Sequence, residues 1–167
     1  MKLNGKKFSN ENAIFGPVVI KRGEEFFPFY AEPCWDYVEF DEACPRPVPP
    51  VSGWNASTGR KEADPKSKIH QEALKLWAAK RWGYYVLKSL APTKLELEGV
   101  SLDDFDSLGK VDEAMKYDKE KNPDGLSEYE FLEVMTLVDE ANLLDADKLE
   151  ENKKSFLDLM ANPAASS

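Results

Sequence analysis

The segment Pro45-Arg-Pro-Val-Pro-Pro50 limits the fold more than any other part of this chain. Each proline fixes its own φ and pushes the residue before it out of the helical region, so no helix and no central strand runs through it. Before it the patterns are strand-like, and after it they are helical. The sequence therefore predicts an α+β protein. A small N-terminal antiparallel β unit spans residues 1–44, and a Pro/Gly-rich extended connector spans 45–64. A C-terminal acidic helical domain spans 65–162. Ser52-Gly53 and Asn55-Ala-Ser-Thr-Gly59 add turn residues to the connector.

In the first unit, Pro17-Val-Val-Ile-Lys21 and Glu25-Phe-Phe-Pro-Phe-Tyr30 are β-branched and aromatic runs. Arg22-Gly23 between them reads as a hairpin turn. Pro28 inside the second run predicts an edge strand or a bulge. Lys2–Phe8 is either a third strand or a segment turned at Asn4-Gly5. A sheet this small is marginal alone, so packing on a helix or on a second copy is expected.

After the connector, Asp64-Pro65 is a cap followed by a first-turn proline, opening a helix to about Leu90. Ile69, Ala73, Leu76, Trp77, Tyr84, Leu87 and Leu90 follow helical spacing on one face, broken at Lys80. Trp82 and Tyr85 lie off this stripe, either as core packing or as an exposed patch. Lys94–Val100 reads as a short strand or an extended crossing. Ser101–Tyr117 carries a helix, best defined over Val111–Tyr117. Ser127 and Glu130 form a capping box for a helix to Ala141, with Phe131, Val134, Met135, Val138 and Ala141 on its buried face. Asp145 caps a last amphipathic helix containing Leu149, Phe156 and Leu159.

Charge is unevenly distributed along the chain. The total is −9, yet residues 61–91 hold seven Lys/Arg against three Asp/Glu, and residues 92–167 hold eight against twenty. The acidic half would repel phosphate backbones, so nucleic acid is not an expected partner. Arg60, Lys61, Lys66, Lys68, Lys80 and Arg81 are either a solvated face or a contact for an acidic partner. No stretch reaches the roughly 18 apolar residues of a membrane span, and no apolar run follows Met-Lys-Leu-Asn-Gly-Lys-Lys at the start, so no signal peptide is expected. Cys34 and Cys44, ten residues apart, either close a disulfide or, in a reducing setting, stay as free thiols.

Aligning Asp118–Gly125 as a calcium loop on Gly125 places Phe131 where the bidentate Glu belongs, so a β-turn at Asn122-Pro-Asp-Gly125 is expected instead. Asp103-Asp104 and Glu150-Glu151 are helix neighbours that do not face one another. Ser57-Thr-Gly-Arg60 lacks the spacing of a phosphate loop. His70, the only histidine, has no Cys or Ser motif near it. The expectation is a non-catalytic protein without metal or cofactor.

Three segments resemble a known group. They are Phe29-Tyr-Ala-Glu-Pro-Cys34 with Phe40-Asp-Glu-Ala-Cys-Pro-Arg-Pro-Val-Pro-Pro50, the helix end Val86-Leu-Lys-Ser-Leu90, and the ending from Val134 through Glu140-Ala-Asn-Leu-Leu-Asp145 to Ser155-Phe-Leu157. Together they are similar to tailed-bacteriophage proteins of the virion structural gene cluster described as tail assembly chaperones. The likeness covers Phe29–Pro50 and Leu76–Leu157, and departs at Phe105, where the pattern has tryptophan. It implies an assembly factor in the bacterial host cytoplasm that binds the tape measure and tail tube proteins. Trp77, Trp82, Tyr85, Phe131 and Phe156 are the candidate contacts. The alternative is a structural virion protein, a head decoration or tail component, whose hairpin and Pro-rich arm reach neighbouring subunits.

Overall fold

The computed structural model describes Lys2, Leu3, Lys6, Lys7, residues 14–142, Lys154 and Leu157. The fold is α+β. Among the described residues the strands form three separate antiparallel ribbons: β1 (Lys2–Leu3) with β2 (Lys6–Lys7), β3 (Phe15–Arg22) with β4 (Glu25–Ala31), and β5 (Val51–Asn55) with β6 (Arg60–Ala63). The helices are α1 (Val38–Ala43), α2 (Lys68–Ser89), α3 (Val111–Met115) and α4 (Glu128–Ala141), with 3-10 turns at Ala91–Thr93 and Ser107–Lys110. The chain divides into two compact units. One takes the described residues of Met1–Pro33, Ser89–Lys94 and Tyr129–Ser167, the other Cys34–Lys88 and Leu95–Glu128. The division read from the sequence is serial, whereas this one interleaves.

In the first unit the expected hairpin forms as β3–β4, but its two-residue loop is Gly23-Glu24, because Arg22 pairs with Glu25. Gly23 takes φ +60°, which glycine accepts without a Cβ clash. Pro28 stays in register opposite Val19, and the irregularity falls on the other strand, between Phe15 and Val18, where the Gly16-Pro17 peptide is cis. The Lys2–Lys7 segment pairs with itself and adds no strand to this ribbon. Ile20, Phe29, Ala31, Leu90, Phe131, Val134, Leu137, Val138 and Ala141 supply the unit's buried side chains. Backbone links hold it: the Tyr30 N–H donates to Thr93 Oγ1, which donates back to Tyr30 O, and the Glu32 N–H donates to Ser89 O. Helix α4 begins one residue after Ser127, and Leu137 takes the buried place expected for Met135, which is half-buried.

The second unit is organised by α2. The helix begins at Lys68 rather than at Asp64, because the Asp64 carboxylate accepts the Lys66 N–H and closes a separate turn first. The connector is not extended throughout. Pro45–Pro50 has no regular structure, but β5–β6 is a hairpin built from the turn residues that follow. The Ser57 N–H donates to Asn55 Oδ1, the Gly59 N–H donates to Asn55 O, and Gly59 takes φ +63°. Lys94–Val100 is neither strand nor crossing; Leu97 and Val100 bridge around Gly99, at φ +68°. The Asn122–Gly125 turn closes as expected, the Gly125 N–H donating to Asn122 O. The expected last helix, with Leu149, Phe156 and Leu159, lies outside the described residues apart from Lys154 and Leu157.

Candidate interaction surfaces

Aromatic side chains gather where α1 lies along α2. Phe40 and Tyr84 are almost fully buried, with ring centroids 5.3 Å apart, and Phe105 lies 6.2 Å from each. Phe105, the position where the resemblance departs, is therefore a packing residue. Two ion pairs flank this cluster, Glu39 with Lys88 at 3.5 Å and Asp41 with Arg81 at 3.8 Å. Cations also cover rings: Arg81 stands 4.1 Å from the Tyr37 centroid and 5.8 Å from that of Trp77, and Arg46 lies 5.7 Å from Trp77. The Trp77 indole N–H donates to Cys44 O at 2.9 Å. This aromatic helix thus holds Cys34–Arg46 against itself.

The titration behaviour follows from that packing. Burial pushes the Tyr37 phenol up to about 12, helped by its hydrogen bond to Cys34. Burial also raises the Cys34 thiol, against the opposing pull of that hydrogen bond and of Lys88. No disulfide joins Cys34 and Cys44. In the former calcium-loop candidate, the Asp118 carboxylate accepts the Lys121 and Glu120 N–H groups at 2.9 Å each, which holds it below the usual carboxylate range. Among the described residues no cluster of three His, Cys, Asp or Glu is placed to hold a metal ion. No described helix is long and apolar enough to cross a membrane.

The five candidate contacts are placed unequally. Trp77, Trp82 and Tyr85 are half-buried on α2. Phe131 is only 8% exposed, on the buried face of α4 where its helical spacing places it. The helical period that puts it in reach of a partner also puts it in line with Val134 and Val138. Phe156 lies outside the described residues. The stripe that spacing places on one apolar face of α2 divides: Tyr84, Leu87 and Leu90 are buried, while Ile69 and Leu76 face solvent.

Sequence reasoning missed two exposed apolar surfaces. On the outer side of β3–β4, Val19 and Phe26 are exposed beside Pro28, Phe26 at 64%. Alternation explains this, since Ile20 and Phe29 point to the opposite, buried side. Trp54 on β5 is 67% exposed, and all four residues of β6 face solvent. In the described structure each ribbon has two strands, so each leaves its outer edges without a strand partner. The alternating pattern of Pro17–Tyr30 was the available signal for the first surface; the second had none beyond Trp54 itself. Comparison of the chain with family models, with curated proteins and with solved structures found no match.

Proposed function

We propose that this protein is a non-catalytic assembly factor of a tailed bacteriophage, binding the tape measure protein, the tail tube protein or both during tail morphogenesis. The resemblance supplies the phage setting. The observation that carries the mode of action is the pairing of exposed apolar ribbon faces with a strongly acidic chain. Val19, Phe26 and Trp54 stand in solvent on two-stranded ribbons that have no third strand among the described residues. Exposed apolar surface of this kind marks protein contact sites, and open strand edges accept an extended segment of another chain. A net charge of −9 keeps such a surface, and a greasy client on it, in solution. Co-expression with the tape measure protein should raise the soluble yield of that protein. Unchanged yield, with both proteins present, would count against the proposal.

One observation favours a second reading, a structural virion subunit. The β5–β6 ribbon has all of Arg60–Ala63 in solvent, and an isolated two-stranded ribbon is marginal in water. A neighbouring subunit in a particle would complete it. Mass spectrometry of purified virions separates the two roles: a chaperone is missing from the finished particle, whereas a subunit is present at high copy.

A further inference from the structure

We infer that the first half of α2 is a docking site for an acidic amphipathic helix of a partner protein, received by Ile69 and Leu76 and flanked by Lys68 and Lys75. This rests on the assembly-factor reading only in taking the occupant to be another protein. Ile69 is 79% exposed and Leu76 56% exposed, on a helix whose second half buries Tyr84 and Leu87. The two residues are one heptad apart, so they stand in one row along the helix, the spacing that a facing helix uses for its own apolar residues. Lys68 and Lys75 repeat the same interval and form a parallel row about 100° around the helix. Between the rows lies Glu72, the only acidic residue of α2.

The cations of α2 separate into two groups. Lys80 meets Asp106 at 2.6 Å, Arg81 meets Asp41 at 3.8 Å, and Lys88 meets Glu39 at 3.5 Å. Lys68 and Lys75, the two beside the exposed apolar row, have no carboxylate partner among the described residues. An apolar row bordered by unneutralised ammonium groups selects a helix with leucines at heptad spacing and carboxylates beside them. Burial of the row supplies affinity, and the lysine row supplies choice of partner and a salt-dependent on-rate. A basic helix of the same apolar pattern would meet like charges and be rejected.

The test uses the full chain and two fluorescein-labelled synthetic peptides. Both are amphipathic helices with leucines every seven residues; one carries glutamates beside the leucines and the other lysines. Fluorescence anisotropy should show binding of the glutamate peptide, weakening as salt is raised, with at least tenfold weaker binding of the lysine peptide. I69S/L76S should reduce binding of the glutamate peptide tenfold or more. K68E/K75E should reverse the preference between peptides, with circular dichroism showing that both variants keep their helix content. Equal affinity for the two peptides, no binding of either, or unaltered binding by the variants would overturn the inference. So would sedimentation showing that the parent self-associates and I69S/L76S does not, which would make a second copy the occupant. Peptide binding and tape-measure solubility are separate readouts, so loss of one leaves the other standing.

Discussion

At the scale of single residues, one glycine decides how closely the second unit packs. Gly83 lies buried in the middle of α2, where alanine ordinarily gains about 1 kcal/mol of helix propensity. A Cβ there would stand 2.1 Å from Leu108 O and 2.9 Å from Val111 Cγ2, and the first of these is backbone that cannot rotate away. Gly83→Ala is therefore expected to destabilise by about 2–3 kcal/mol, as overpacking does. Urea unfolding should show a lower midpoint with an unchanged slope; a gain in stability would mean that Leu108 lies further away. Tyr37 offers a pH test. Its phenol, raised to about 12, holds its proton more tightly in the fold than in the unfolded chain, where 10 is ordinary. The proton is bound in both states below pH 10, so the stabilisation from this group is fully present there. It is lost as pH rises from about 10 to about 12. Tyrosinate absorbance should show late-titrating phenols, of which one disappears in Tyr37→Phe while that of Tyr84, also raised by burial, remains; titration of every tyrosine near 10 would contradict the burial of the Tyr37 ring beside Cys34.

At the scale of elements, the β3–β4 ribbon is tied to α4 by Arg22, whose guanidinium makes a two-pronged contact with the Glu130 carboxylate. The side chain of Arg22 is substantially exposed, so solvent screens the pair. A double-mutant cycle over Arg22→Ala and Glu130→Ala should give a coupling of about 0.5–1 kcal/mol that shrinks in high salt; a coupling near zero would mean the ribbon is held by its buried face and its backbone links to Ser89 and Thr93 without help from this pair. The opposite face makes a complementary test. Val19→Ser with Phe26→Ser should leave the melting temperature nearly unchanged while removing co-expression rescue of the tape measure protein. Elements of this kind were partly legible. The ribbon was, because β-branched and aromatic runs around a glycine have one obvious pairing. The β5–β6 hairpin was not, because Asn55, Ser57 and Gly59 suit a flexible spacer and a hairpin loop equally, and none of its described side chains is buried. In α2 the period tells which residues share a face but not how far the packing partners reach, so it does not separate exposed Ile69 and Leu76 from buried Tyr84 and Leu87. Phe131 is the converse case: the row it shares on α4 with Val134, Val138 and Ala141 is buried along its length.

At the scale of the whole molecule, the sequence divides in series and the structure does not. Local patterns change type near Pro45–Pro50, which suggests a boundary there. Yet the strands of β3–β4 share a unit with the Ser89–Lys94 turn and with Tyr129 onward, through bonds such as Tyr30 to Thr93 and Asn142 to Ser89. Pairings over such separations leave no local periodicity, which is why composition and spacing could not reveal them. The consequence is measurable with fragments. Residues 1–64 contain the ribbon without the turn and helix that complete its unit. Residues 65–162 contain α2 without α1, and so expose Tyr84 and strip Trp77 of the Cys44 carbonyl. Residues 34–128 hold every segment of the second unit, with Ser89–Lys94 as a passing loop. Urea titration followed by circular dichroism should give a cooperative transition for 34–128 and broad, featureless curves for 1–64 and 65–162. Cooperative unfolding of 65–162 with a slope matching its length would show that the helices form a domain by themselves, and that the serial division is the physical one.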